Sequence, residues 1–272
     1  MVKGEKRKLS EVKFLDKKFK VYIREVIEKR SYVSAVNNNA GSISVHTAEK
    51  RDINGLIAKH YIKQGMNVLD AYGGYGLSTY VWLKAGAKVT TVEMDEYNYD
   101  LLYDNLKEYL GAYKLKTFNE DNIKVMKSLI DTGKKFDVID LDPYGSCFEQ
   151  IPYALKLIKH GILLVTCGEH TVLYRGFHNK TYLKRYGEEV KPFFKYENFW
   201  RFAKDFFFEK YIKSLREDVE LIHYNLNKKF GRLIIRVGYP VIPPELLSEF
   251  KIRQKVFQDV QKYEGQKSLM EL

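Results

Sequence analysis

Phe136 to Ser146 reads FDVIDLDPYGS. Its first six residues form a short, largely apolar run, and Pro143 and Gly145 follow, so the pattern predicts a buried parallel strand ending at Asp142. In open α/β sheets such strand ends face the ligand crevice. There Asp142 can accept a hydrogen bond from an amine, Pro143 fixes the backbone and removes a donor, and Tyr144 offers a flat face to a planar base. That combination suits methylation of an exocyclic amine on a nucleobase. The same letters also spell an ordinary strand and turn, because Asp-Pro and Tyr-Gly are common turn dipeptides.

Upstream, Met66 to Asp70 predicts a first strand, Ala71 to Gly76 a glycine-rich turn, and Leu77 to about Ala85 a helix. Glycines there let the backbone approach a ligand at the helix start. Asp70, Gly74 and Gly76 stand at the first, fifth and seventh positions of the glycine loop typical of S-adenosylmethionine-dependent methyltransferases, with Tyr72 in place of the usual first glycine. Nucleotide-binding and purely structural turns share such a pattern. Lys88 to Val92 predicts a strand ending at Glu93, an acid placed to take both ribose hydroxyls of an adenosine, as dehydrogenases also do. A helix from about Tyr97 to Leu110 and a strand from Lys114 to Phe118 follow. Asp121 then reads both as an acceptor for an adenine amine and as the N-cap of a helix from Ile123 to Ile130.

Downstream, a helix from about Phe148 to Lys159 leads to a strand from Gly161 to Thr166, whose end carries Glu169 and His170. Val219 to Asn225 and Arg232 to Val237 predict a β-hairpin across Asn227 to Gly231. From Pro240 a turn and a helix of about two dozen residues are expected.

The net charge of +11 points to an acidic polymer, most commonly nucleic acid. Residues 1–30 and 174–216 each hold 11 Lys/Arg against 5 Asp/Glu, so these two segments account for the excess. The first mixes its cations with Val12, Phe14, Phe19 and Val21, a pattern that fits a basic helix or a strand. Asn37 to Ser42 is a loop by composition, and Thr47 reads as the cap of a helix bearing Ile53, Leu56, Ile57 and Tyr61. Between Tyr174 and Tyr211, 14 aromatic residues alternate with the second basic cluster. A helix from about Tyr196 to Arg216 would bury Phe199, Phe202, Phe206 and Tyr211, whereas the loop before it suits stacking on a nucleic-acid strand. Cys147 and Cys167 have no zinc spacing and read as small buried thiols, so no metal site is expected. The absence of a signal core and of a membrane-length apolar run predicts a soluble, cytoplasmic chain without membrane contact.

Taken together, these residues resemble the tRNA (guanine(26)-N(2))-dimethyltransferases. The resemblance rests on Arg51-Asp52 opening a helix, on Ile139 to Ser146, and on Gly161 to Thr166 followed by Glu169, and it runs from about Arg51 to Tyr239. It implies a Rossmann-like class I methyltransferase fold, with a mostly parallel seven-stranded sheet, a C-terminal antiparallel hairpin and helices on both faces. The expected divisions are a basic extension over 1–45, the methyltransferase domain over 46–240 and a helical tail over 241–272. Little chain follows Tyr239, so the family's C-terminal tRNA-contacting domain is expected to be lacking. The implied cofactor is S-adenosyl-L-methionine, held by Arg51, Asp70, Tyr72, Gly74, Gly76, Glu93, Met94, Asp121, Asn122 and Asp140. Asp142, Pro143 and Tyr144 are implied to hold and activate the N2 amine of a guanine in tRNA or another structured RNA. Rival readings are a DNA amino-methyltransferase acting on adenine N6 or cytosine N4, and a nucleic-acid-binding protein that keeps the fold without catalysing.

Overall fold

A computed structural model of the chain describes residues 6–25, 45–112, 114–174, 179–194, 201–226 and 231–255. The expected loop at Asn37 to Ser42, the hairpin turn at 227–230, Phe199, and the chain beyond 255 lie outside those residues. The chain divides into two compact units, Met1–Thr132 and Gly133–Leu272.

The first unit opens with an antiparallel pair, β1 (Lys6–Phe14) and β2 (Lys17–Glu25), so the N-terminal pattern resolves as strands. Its inward positions Phe19 and Val21 are fully buried, and Phe19 meets the Tyr80 ring edge-on at 5.3 Å. Then come α1 (Val45–His60), β3 (Asn67–Asp70), α2 (Leu77–Lys84), β4 (Lys88–Val92), α3 (Glu96–Leu106) with a 3₁₀ turn over Lys107–Ala112, β5 (Leu115–Phe118) and α4 (Asn122–Asp131). The helix expected to be capped at Thr47 begins at Val45 instead, an end shift of the usual size. The three strands β3, β4 and β5 pair in parallel.

The second unit contains β6 (Phe136–Leu141), α5 (Ile151–Leu157), β7 (Ile158–Cys167), α6 (Glu169–Tyr174), α7 (Asn179–Tyr186), a 3₁₀ segment over Glu188–Phe194, a π-helix over Phe202–Ile212 running into α8 (Lys213–Leu215), β8 (Val219–Leu226) and β9 (Gly231–Val237). A helix over 244–255 follows. β6 and β7 are parallel, whereas β9 pairs antiparallel with both β7 and β8. The strands order as β5-β4-β3 in the first unit and β6-β7-β9-β8 in the second, which is the mostly parallel arrangement with an antiparallel hairpin expected from the sequence.

Two expectations change here. Residues 158–160 are strand rather than helix end: Ile158 is buried and pairs with Phe136, and a bulge before Ile162 absorbs the extra residues. Residues 179–194, before the long helix, are not an open loop. Tyr182 and Val190 are buried, and Tyr182, Tyr186, Phe193 and Phe194 pack edge-on or stacked within an aromatic cluster that includes Phe202 and Phe206. Those rings therefore form core rather than a stacking platform. In the following helix Phe202, Phe207 and Ile212 recur every five residues and all are buried, the spacing that π-helical hydrogen bonding brings onto one side. The α-helical face expected from the sequence catches only part of that set, and Tyr211 stays half-buried.

Inside this core, Arg232 of β9 donates to Asp140 of β6 at 2.8 Å and to Thr166 of β7 at 2.8 Å, with Arg232 and Asp140 at 0% and 1% exposure. Register explains the reach: Arg232 pairs with Thr166 and Asp140 with Leu164, so all lie on one face and the long guanidinium crosses β7 diagonally. Arg232→Met is expected to cost roughly 3–5 kcal/mol in denaturant unfolding, because it strands a buried carboxylate. Adding Asp140→Leu should recover most of that loss.

Candidate active site

In the first unit the loop after β3 is held from beneath. Asp70 is buried and accepts from Thr79 Oγ1 at 2.7 Å and from the Tyr72 amide at 3.3 Å, so it shapes the turn from inside. The Gly73 amide donates to Val92 O at 2.8 Å. A Cβ on Gly73 would lie 2.4 Å from both Leu102 Cδ1 and Thr91 Oγ1, so this glycine is required by packing. Gly76 caps α2 with φ of 89°, and a Cβ there would sit 2.7 Å from Leu106 Cδ1. Gly74 has open space around its Cα, as a backbone that receives a ligand closely would need.

The Gly74 amide donates to Glu93 Oε2 at 2.8 Å, and the Asp95 amide to Glu93 Oε1 at 2.8 Å. Each carboxylate oxygen keeps a further lone pair, enough for two ribose hydroxyls. Burial pushes the Glu93 pKa above the ordinary glutamate value, against the opposing pull of the Asp95 and Gly74 amides. Asp121 caps α4, accepting from the Lys124 amide at 3.0 Å, and Asn122 donates to Ala71 O at 3.3 Å. Met94 is 70% exposed beside Glu93. The Arg51 guanidinium lies over the Phe14 ring at 5.4 Å from its centre.

Asn105 was not singled out by the sequence. Its buried amide accepts from the Lys20 amide at 2.8 Å and donates to Lys20 O and to Tyr75 O, both at 3.0 Å. It therefore pairs with β2 as another strand would while also holding the glycine loop. The hairpin's cations are used here too: Lys17 pairs with Glu108 and Lys20 with Asp104. The hairpin turn is anchored by Asp16, which accepts from Tyr80 and Lys84 at 2.7 Å each.

In the second unit Asp142 and Pro143 are half-buried and Tyr144 is 93% exposed. Gly145 has φ of 135°, and its carbonyl accepts from the Gly168 amide at 2.9 Å. A Cβ on Gly168 would fall 2.2 Å from that carbonyl, so the loop after β6 is drawn against the end of β7 by a glycine to which the sequence reading gave no role. Ser146 Oγ donates to Glu169 Oε1 at 2.6 Å and accepts from the Phe148 amide at 3.0 Å and from Arg185 at 3.1 Å. Arg185 and the Tyr186 hydroxyl also donate to the Glu169 carboxylate, and the Tyr182 hydroxyl donates to Glu169 O at 2.5 Å. Glu169 is thus buried beneath the loop; the side chain of His170 lies outside the described residues. Asp140, expected at the cofactor, has its carboxylate in the buried pair with Arg232. Cys147 and Cys167 are buried, and burial pushes the Cys147 thiol up.

A signal for Arg232 was present. An arginine opening the buried run Leu233 to Ile235 needs an acid partner, and Asp140 between Ile139 and Leu141 is its complement. Asn105 and Arg185 carried no comparable signal: Asn105 bonds backbone groups, and Arg185 follows Lys184 in a polar helix.

A tRNA (guanine(26)-N(2))-dimethyltransferase of Pyrobaculum aerophilum is 25% identical over 151 residues, which cover 54% of this chain and 40% of that protein. The chain thus matches less than half the length of this relative. Among solved structures, a Streptococcus mutans protein assigned as SAM-dependent methyltransferase aligns over 84% of this chain and 55% of its own, at 11% identity and a TM-score of 0.52. A second one, assigned as a methyltransferase and complexed with SAH, covers the same 84% and 56% of its own chain, at 10% identity and a TM-score of 0.53. These likenesses establish the methyltransferase fold, and S-adenosyl-L-methionine is the cofactor of such a methyltransferase. The model of N2,N2-dimethylguanosine tRNA methyltransferase matches residues 14–203, more than half the sequence, and the chain belongs to that family.

Proposed function

We propose that the protein transfers a methyl group from S-adenosylmethionine to the N2 amine of a guanine in tRNA. The observation that carries this reading is the pairing, on one anchored loop, of a half-buried carboxylate at Asp142 with an almost fully exposed ring at Tyr144. Membership of the dimethylguanosine tRNA methyltransferase family supports the choice of amine and of RNA.

The cofactor supplies an electrophilic methyl on a positively charged sulfur. In this reading Glu93 takes the ribose hydroxyls, Gly74 and Gly76 allow close approach of the backbone, and Arg51, Met94, Asp121 and Asn122 complete the cofactor contacts. Asp70, Tyr72 and Asp140 act by shaping the strand ends. An exocyclic amine within a helix cannot align for in-line attack, so the guanine must be presented unpaired. Tyr144 stacks the base. Asp142 accepts a hydrogen bond from the amine, which raises electron density on nitrogen, and then takes the proton as positive charge develops. Pro143 leaves no backbone N–H to compete for that carboxylate. The rest of the rate enhancement is placement of two reactants at near contact.

Asp142→Ala is expected to lower tritiated methyl transfer into bulk tRNA by about 100-fold or more while leaving cofactor affinity nearly intact by calorimetry. An equal loss of cofactor affinity would show the role to be misassigned, and transfer into DNA in preference to tRNA would contradict the substrate. Because burial raises the pKa of Glu93, this carboxyl protonates at higher pH than an ordinary glutamate as the solution is acidified. Cofactor affinity should therefore fall on acidification at a higher pH than an ordinary glutamate would give. Glu93→Gln should lower affinity about 10- to 100-fold at neutral pH and abolish the acid-side step.

A further inference from the structure

We infer that Glu169 is the positioning residue for the Asp142 loop, acting through Ser146 and Arg185 without touching substrate. The inference rests on the reading of that loop as catalytic and extends it to a group buried behind it. Four features converge on one segment. The Glu169 carboxylate, 3% exposed, accepts from Ser146, Arg185 and Tyr186. Ser146 Oγ passes the connection on by accepting from the Phe148 amide, which fixes the chain on the far side of Gly145. The Arg185 guanidinium lies over the Phe148 ring at 5.1 Å from its centre while it donates to both Ser146 and Glu169. The Gly168 amide grips Gly145 O from the residue next to Glu169.

The loop residues themselves do not account for this order. Gly145 sits at φ of 135°, a conformation that glycine permits but does not enforce, and Tyr144 is almost wholly in solvent. A loop that must hold a carboxylate against an amine within a fraction of an ångström needs support from outside itself. A carboxylate is suited to that duty because one acceptor group can gather three donors from two separate elements. Arg185 and Tyr186 of α7 and Ser146 of the loop supply them. α7 is thereby tied to the loop, and its Tyr182 hydroxyl closes the arrangement on Glu169 O.

The test compares Glu169→Ala, Glu169→Gln and Ser146→Ala with the unmodified full-length chain, by amide hydrogen exchange and by steady-state transfer to tRNA. Expected are faster exchange confined to residues 142–148 and 168–169 in Glu169→Ala and Ser146→Ala, and a fall in kcat of up to about 100-fold for Glu169→Ala with KM and cofactor affinity little changed. Glu169→Gln keeps an acceptor oxygen and should recover part of kcat. Unchanged exchange in the loop, or exchange accelerated throughout the chain in all three variants together with lost cofactor binding, would overturn the inference. If the unmodified chain transfers no methyl to tRNA, the proposed function fails, while the exchange comparison still decides whether Glu169 orders the loop.

Discussion

A charge removed from water must be met by an opposite charge or a set of donors, and in the second unit this requirement falls on two carboxylates. Asp140 lies within β6, two residues before Asp142, and Glu169 lies at the start of α6 beyond the loop's end. Arg232 from β9 answers the first and Arg185 from α7 the second. The segment from Asp142 to Ser146 is thus bracketed by two buried carboxylates whose cationic partners come from elements far from it in sequence. Its place is set less by its own residues than by how β7, β9 and α7 converge on it. This explains how a loop can present an exposed tyrosine and still be ordered.

The first unit meets a comparable need with neutral groups. Its glycine loop is held by the Thr79 hydroxyl through Asp70, by the Glu93 carboxylate through the Gly74 amide, and by Asn105 through Tyr75 O. Asn105 also binds both backbone groups of Lys20, so the N-terminal hairpin and the glycine loop share one anchor. Part of the basic charge at the N-terminus is spent in this docking, on Asp104 and Glu108. In the second basic cluster Lys191 pairs with Glu188, Lys210 with Glu189, and Lys213 with Glu209. Those three acids are already counted in the second segment's balance, whereas Asp104 and Glu108 lie outside the first segment and draw down its excess.

What could be read from the sequence follows from the range of the forces involved. β3, β4, β5 and β6, and the hairpin of β8 and β9, were visible because burial, β-branching and turn residues are local signals. The N-cap at Asp121 was visible for the same reason. The π-helical spacing of Phe202, Phe207 and Ile212 was not, since a reading at α-helical period assigns those residues to different faces. The acids at Asp70, Glu93, Asp121, Asp140 and Asp142 were all recognised as candidates, but the division between those that face a ligand and those that hold the frame depends on tertiary partners. Arg232 and Thr79, distant in sequence from Asp140 and Asp70 or hidden in a helix, make that division.

The most direct test of the account is mass spectrometry of nucleosides from unmodified tRNA incubated with the protein and S-adenosylmethionine carrying a labelled methyl group. The account predicts label on the N2 nitrogen of guanosine. Label on another nucleoside, or on another atom of guanosine, would contradict it.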